Sequence, residues 1–278
     1  MYRQVGVNQR IGRTAPLPCL ALLLALVLVL PTVVGCGSSQ PGDDADEAVT
    51  IEQALTSEPG ETVKVSGAIV ATGSDTDEEI VLASVLLESY PPQAGGVILP
   101  VKGLDLGSLV GLSSTVNQPD LAPVTWSDYW VVLEGVMASG VLDVQAVPRW
   151  VEATFGDVQV RFSPVSEPLT TGSTLWWAFD LKNTGVEPLG LAFSSGQRAD
   201  VVLSREGVEE YRWSADKVFT EAIETVTIAP GEVLPIVMND VLGTAPGEYD
   251  LAASVTALVG GEGTGQPLPA LTMVVTVF

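Results

Sequence analysis

The chain has 278 residues, 46% of them hydrophobic, with 12 Lys and Arg against 34 Asp and Glu and a net charge of −22. Such a balance repels phosphate backbones and excludes nucleic acid as a partner. The sequence holds no histidine, which removes Ser-His and Cys-His nucleophile pairs and imidazole metal ligands. No catalytic residue, cofactor or metal site is therefore assigned.

Residues 1–16 carry Arg3, Arg10 and Arg13 and no acid, and the apolar run "LPCLALLLALVLVLPTVVGC" follows. A basic segment ahead of an apolar one is the pattern of an export signal. The run from Leu17 to Gly35 also nears the length of a membrane-spanning helix. Its ending, Val33, Val34, Gly35 and Cys36, resembles the lipobox of bacterial lipoproteins. That resemblance implies cleavage before Cys36 and attachment of a diacylglycerol, with palmitate-type chains, to its thiol. The lipid bilayer is then a partner, with the chain anchored on the extracytoplasmic side of a cell membrane. An uncleaved anchor with a chance cysteine is the alternative. Cleavage would remove 35 residues, including three Arg and no acid. The remaining 243 residues would carry −25 and no thiol beyond Cys36. Residues 36–47, "CGSSQPGDDADE", read as a self-repelling flexible tether.

An all-β region is expected over residues 48–150. "TIEQALTS" reads as a short helix capped by Thr50, with Ile51, Ala54 and Leu55 on one side. "TVKVSGAIV" alternates as a strand, "IVLASVLLESY" is ambiguous between helix and strand, and "GGVILPVKGL", "YWVVLEGVM" and "GVLDVQAV" read as strands. Several strands and one short helix suit a small OB-like barrel. The segment "LLESYPPQAGGVILPVKGLDL" (Leu86 to Leu106) resembles one found in secreted actinobacterial-type proteins with an OB-like N-terminal domain. In that pattern Cys stands at the positions of Ala83 and Ala94. The resemblance implies a bond in those relatives that this chain forgoes. Trp126 and Trp130 have the same parity, so on one strand they would share a face. With Tyr129 they either cap the barrel core or stack on sugars.

Residues 153–278 alternate more cleanly. "DVQVRFS" places Val158, Val160 and Phe162 on one face. "WWAFDLKNTG" turns Trp177, Phe179 and Leu181 inward and Trp176, Asp180 and Lys182 outward. "ADVVLS", "EEYRWS", "TVTIAPG", "VLPIVM", "YDLAASV" and "LTMVVTVF" continue the series. Short strands with turn signals between them predict an immunoglobulin-like antiparallel sandwich, and Tyr249 after Pro246-Gly247 suits a tyrosine corner. "SADKVFTEA" reads as a short helix capped by Ser214.

This region resembles the BsuPI family, the intracellular proteinase inhibitors of Bacillus and their relatives. The features that carry the likeness are "LKNTG.EPL" (Leu181 to Leu189), "FSSGQRADVVL" (Phe193 to Leu203), "YRWSADKVFT" (Tyr211 to Thr220), "IAPGE" (Ile228 to Glu232) and "PGEYDL" (Pro246 to Leu251). The resemblance implies a β-sandwich that binds a protein partner, a protease or another envelope protein. The chain departs from the family in carrying an export signal, and no disulfide-braced loop is visible. The partner-binding candidates are Ser195, Gly196, Gln197, Arg198 and Trp213, which otherwise brace a crossover between sheets. A carbohydrate or cell-envelope-binding lipoprotein, using Trp126, Trp130 or Trp176 for stacking, is the alternative function. An enzyme working through carboxylates alone has no motif to support it.

Overall fold

The computed structural model describes residues 48–278 except 74–77, 117, 119 and 261–264. The expected export signal, the expected lipobox Val33-Val34-Gly35, Cys36 and the expected tether lie outside the described residues. The structure is almost entirely β, built from several antiparallel sheets.

The first group of strands surrounds a short helix. Helix α1 (Ile51–Ala54) starts at a capping box, with Thr50 accepting from the Gln53 N–H and the Gln53 side chain accepting in return. Ile51 and Ala54 are buried as expected, while Leu55 stays exposed. Strands β1 (Thr62–Thr72), β2 (Glu79–Leu87), β3 (Gln93–Lys102), β4 (Leu112–Ser114), β5 (Val124–Ser127), β6 (Val131–Ala138) and β7 (Val141–Ala146) follow. Both β2 and β6 pair with β1, β3 pairs with β2, and β7 joins β3 to β6. This closes a five-stranded ring in the order β1-β2-β3-β7-β6, antiparallel except at β3/β7. Its interior is filled by Val65, Ile69, Leu82, Leu99, Leu133, Met137 and Leu142, with Ile51 of α1 over Gly67. Strand β1 alternates only in its first half. Beyond Gly67 both faces are buried, because Val70, Val81, Val124 and Trp126 form a second cluster on the outside.

One expectation fails here. Trp126 ends in β5, and the chain then turns, with the Ser127 hydroxyl donating to the Tyr129 carbonyl, so Trp130 lies on no common strand with it. Trp126 is buried, its indole N–H donating to Asp128. Ala83 and Ala94 are not placed for a bond. Ala83 pairs with Ile98, and Ala94 pairs with Leu86. The offset of three residues along the ladder separates them by roughly 10 Å, beyond the reach of a disulfide.

The second group comprises β8 (Val151–Phe155), β9 (Val158–Pro164), β10 (Thr174–Asn183), β11 (Leu189–Phe193), β12 (Ala199–Arg205), β13 (Val208–Arg212), β14 (Glu224–Ile228), β15 (Val233–Val241), β16 (Gly247–Val255), β17 (Leu258–Val259), β18 (Gln266–Pro267) and β19 (Leu271–Val277). They form three four-stranded sheets, ordered β15-β10-β9-β8, β13-β12-β16-β19 and β14-β11-β17-β18. Inward side chains of all three meet in one core. Phe162, Trp177 and Phe179 come from the first sheet, Leu203, Tyr249 and Leu251 from the second, and Leu191, Phe193 and Ile228 from the third. The Phe162 ring centre sits 4.8 Å from Phe179 and 6.2 Å from Trp177. The Tyr249 hydroxyl reaches back to the Ala245 carbonyl at 2.8 Å, the tyrosine-corner contact.

Strand β10 is covered on both sides, with Trp177 to Leu181 buried without interruption. Its inward residues enter the sandwich core, and Ala178 joins the core of the barrel. The outward placement of Asp180 therefore does not expose it. Asp180 lies under the turn Leu106–Ser108 and the residues that follow, accepting from the Gly111 N–H at 2.9 Å and from Arg161 at 2.5 Å. Arg161 also donates to the carbonyls of Gly107 and Leu109. Tyr129, on the barrel side, donates to the Val110 carbonyl and packs near Trp176. Burial pushes the Asp180 carboxyl above the ordinary carboxylate range, against the opposing pull of the Gly111 N–H and Arg161.

Candidate functional site

The β11–β12 turn and the loop from β13 to β14 lie side by side at one end of the sandwich. Strands β11 and β14 are hydrogen-bonded neighbours, with Phe193 opposite Glu224. The turn after Phe193 therefore meets the loop that enters β14.

Of the five expected partner-binding residues, four form the β11–β12 turn. The Ser195 hydroxyl accepts from the Gln197 N–H at 3.2 Å, a local turn closure. The Gly196 N–H donates to the Thr220 carbonyl at 2.9 Å. A side chain at Gly196 would begin 2.7 Å from the Thr220 hydroxyl, so a larger residue would push the loop away. The Gln197 side-chain amide donates to the Ala199 carbonyl, and the Gln197 backbone carbonyl accepts from the Thr256 hydroxyl at 2.6 Å. Arg198 lies 4.2 Å above the Phe193 ring and ion-pairs with Glu224. It does not pair with Asp200, as its proximity in sequence suggests; Arg212 does, at 2.9 Å.

Trp213, the fifth, stands where the loop leaves β13. Its backbone N–H donates to the Val201 carbonyl and its indole N–H to the Asn239 carbonyl, both at 2.9 Å. One face meets Phe219 at 5.8 Å between ring centres, and the Lys217 ammonium lies 4.9 Å from the ring centre. Lys217 also pairs with Asp240 at 3.3 Å. Residues 213–216 form a turn rather than the expected helix. Asp200 explains the difference. Its carboxylate accepts from the Ser214 N–H, the Ser214 hydroxyl and Arg212, so Ser214 caps nothing.

The five candidates are thus brought together, and their polar groups are largely spent on bracing the turn and the loop. The residue that the bracing presents is Val218, 99% exposed between Lys217 and Phe219. Sequence reading missed it by assigning it to a helix. The available signal was a Val-Phe pair within an acidic stretch that fits neither helical nor strand periodicity.

Trp130 and Trp176 both line a cleft of about 770 Å³ between barrel and sandwich, together with Ser66, Glu167, Thr174 and Phe278. Trp126 is not among its walls. A separate cavity of about 480 Å³ is lined mainly by Val70, Val81, Tyr90, Pro92, Ile98 and Val124 on the barrel.

Residues 166–259 match a family model described as BsuPI, intracellular proteinase inhibitor. The match runs from the β9–β10 connection to β17 and includes both loops of the candidate site. No curated protein matches the chain. Among solved structures, the crystal structure of the CARDB domain of a Pyrococcus furiosus protein aligns at 18% identity over 46% of this chain and 95% of that one, with a TM-score of 0.26. Its solution structure aligns at 19% identity over 45% and 97%, with a TM-score of 0.25. A β-glucosidase from Listeria innocua aligns at 12% identity over 51% of this chain and 18% of its own, with a TM-score of 0.26.

Proposed function

We propose that this chain is a membrane-anchored extracytoplasmic lipoprotein whose sandwich is a protein-binding module of the proteinase-inhibitor kind. The family match over residues 166–259 carries this reading, because it includes the exposed β13–β14 loop, which is braced by the β11–β12 turn and Trp213. An inhibitor gains affinity when its contact loop is already ordered, since little freedom is lost on binding. On this reading the closed ring is an OB-type barrel serving as a rigid base between the anchor and the binding module. It cannot simply be removed, because Trp176, Ala178 and Asp180 of β10 would lose their cover.

The test is titration of a panel of serine proteases with the chain from Cys36 onward. Stoichiometric loss of at least one protease activity is expected. Unchanged rates across the panel would remove the inhibitor reading. The anchor is tested separately by mass spectrometry of the mature N-terminus, where an acylated Cys36 is expected and an intact leader would overturn it.

The cleft shared by Trp130 and Trp176 supports a second reading, binding of an envelope glycan by stacking. Titration with soluble envelope glycans should then change tryptophan fluorescence. A Trp130→Ala variant that responds as the parent does would dismiss this reading.

A further inference from the structure

We infer that the β13–β14 loop is the segment a protease grips, with Val218 entering the specificity pocket. This rests on the inhibitor reading and goes beyond it by naming the contact residue and the class of protease.

A serine protease selects its targets largely through one side chain that fills its specificity pocket. The bound segment lies extended and adds its backbone to the enzyme as a strand. An inhibitor must present such a side chain outward, keep that residue's own backbone free, and hold both flanks so that the segment neither collapses nor departs. Residues 217–220 meet each condition. Val218 is 99% exposed, and among the described residues no hydrogen bond uses its backbone. On one flank Lys217 is held by Asp240 and the face of Trp213. On the other, Phe219 packs against Trp213, and the Thr220 carbonyl accepts from Gly196. Trp213 itself is fixed to Asn239 on β15 and to Val201 on β12. The flanks share Trp213 and are tied further to β15 on one side and to the β11–β12 turn on the other, and the residue between them is left for a partner.

The side chain sets the class. Val is small and β-branched, so it suits the shallow pocket of elastase-type enzymes, and it lacks the charge that a trypsin-type pocket pairs with. Val186 supplies a control. It is also exposed, at 87%, but it sits in the β10–β11 turn, at the other end of β11 from the loop.

The experiment compares the chain from Cys36 onward with its Val218→Arg and Val186→Arg variants against elastase-type and trypsin-type proteases. Val218→Arg should weaken inhibition of the elastase-type enzyme by roughly 30-fold or more, the range of a central contact residue. It should also create inhibition of the trypsin-type enzyme, an outcome that a general structural defect cannot produce. Val186→Arg should match the parent. If the parent inhibits and Val218→Arg inhibits equally, the loop assignment is overturned while the inhibitor reading stands. If the parent inhibits neither enzyme, both fall for these proteases. Rapid cleavage of the parent at the Val218–Phe219 bond would mark the loop as a substrate and overturn the assignment as well.

Discussion

The backbone N–H of Gly111, in the barrel, donates at 2.9 Å to the carboxylate of Asp180, in the middle of β10. Gly111 has a φ of +84°, and a β-carbon there would lie 2.7 Å from Ala178 and 3.1 Å from Val237. The joint between barrel and sandwich therefore depends on a residue with no side chain and a left-handed backbone. Gly111→Ala should lower stability by about 2–4 kcal/mol, from backbone strain together with overpacking. Gly140, in the two-residue β6–β7 turn, has a φ of +78° and nothing within 4 Å. Gly140→Ala should cost only the strain, about 1–2 kcal/mol. Denaturant titration separates the two, and equal losses would mean that the close approach to β10 is not maintained.

Asp180 also gives stability a specific pH dependence. Its ordinary pKa of 3.8 applies to the unfolded chain, and burial raises the folded value above it. Between the two, the folded state binds more protons than the unfolded state, so stability falls as pH rises through that window. Asp180→Asn removes this titration but leaves an oxygen for the Gly111 N–H. From about pH 3 upward, the parent should lose stability relative to the variant, and the difference should level off above the folded pKa. The opposite trend would mean that Arg161 and Gly111 outweigh burial.

Period-two alternation identified the strands that build the sandwich and correctly turned Trp177, Phe179 and Leu181 inward. It could not reveal what covers the other face. Alternation distinguishes two sides of a strand, and a second domain looks like solvent to that pattern. On that pattern Asp180 simply faces outward beside Lys182. The Ser214 assignment failed for a related reason. A serine followed by an acid and a lysine satisfies the local rules for a helix start, but Asp200, fourteen residues earlier, captures both the Ser214 N–H and its hydroxyl. Likewise, Trp126 and Trp130 share parity in the sequence, yet a turn at Ser127–Tyr129 breaks the strand between them. The turn after Phe193 was located from its own residues, whereas its contact with Thr220 depends on the β11–β14 pairing, a long-range relation.

Asp200 should control the order of the candidate loop. It is nearly buried and accepts from Val201, Ser214 and Arg212. Asp200→Ala would leave those donors unmatched, at an expected cost of about 2–4 kcal/mol. The loss should be local as well as global. Hydrogen exchange should accelerate at the Trp213 and Gly196 amides, which bond Val201 and Thr220, before it does so in β9 and β10. Asp200→Asn retains an acceptor oxygen and should recover part of the protection. Unchanged exchange in Asp200→Ala would show that Trp213 and Phe219 hold the loop without the carboxylate.

Tyr249 offers the complementary test, a stability change remote from the loop. Its hydroxyl lies 2.8 Å from the Ala245 carbonyl and 2.9 Å from the Glu210 carboxylate, and it accepts from Arg205. Strand β16 carries Tyr249 near one end and Val255 at the other, where Thr256 meets Arg198 and the β11–β12 turn. The tyrosine corner and Val218 thus occupy opposite ends of the sandwich. Tyr249→Phe keeps the ring in the core and removes the hydroxyl contacts, which should lower stability by about 1–2 kcal/mol. While the protein remains folded, any protease inhibition should be unchanged. If Tyr249→Phe weakened inhibition as much as Val218→Arg, the effect of Val218 could no longer be ascribed to direct contact, since two substitutions at opposite ends would then act alike.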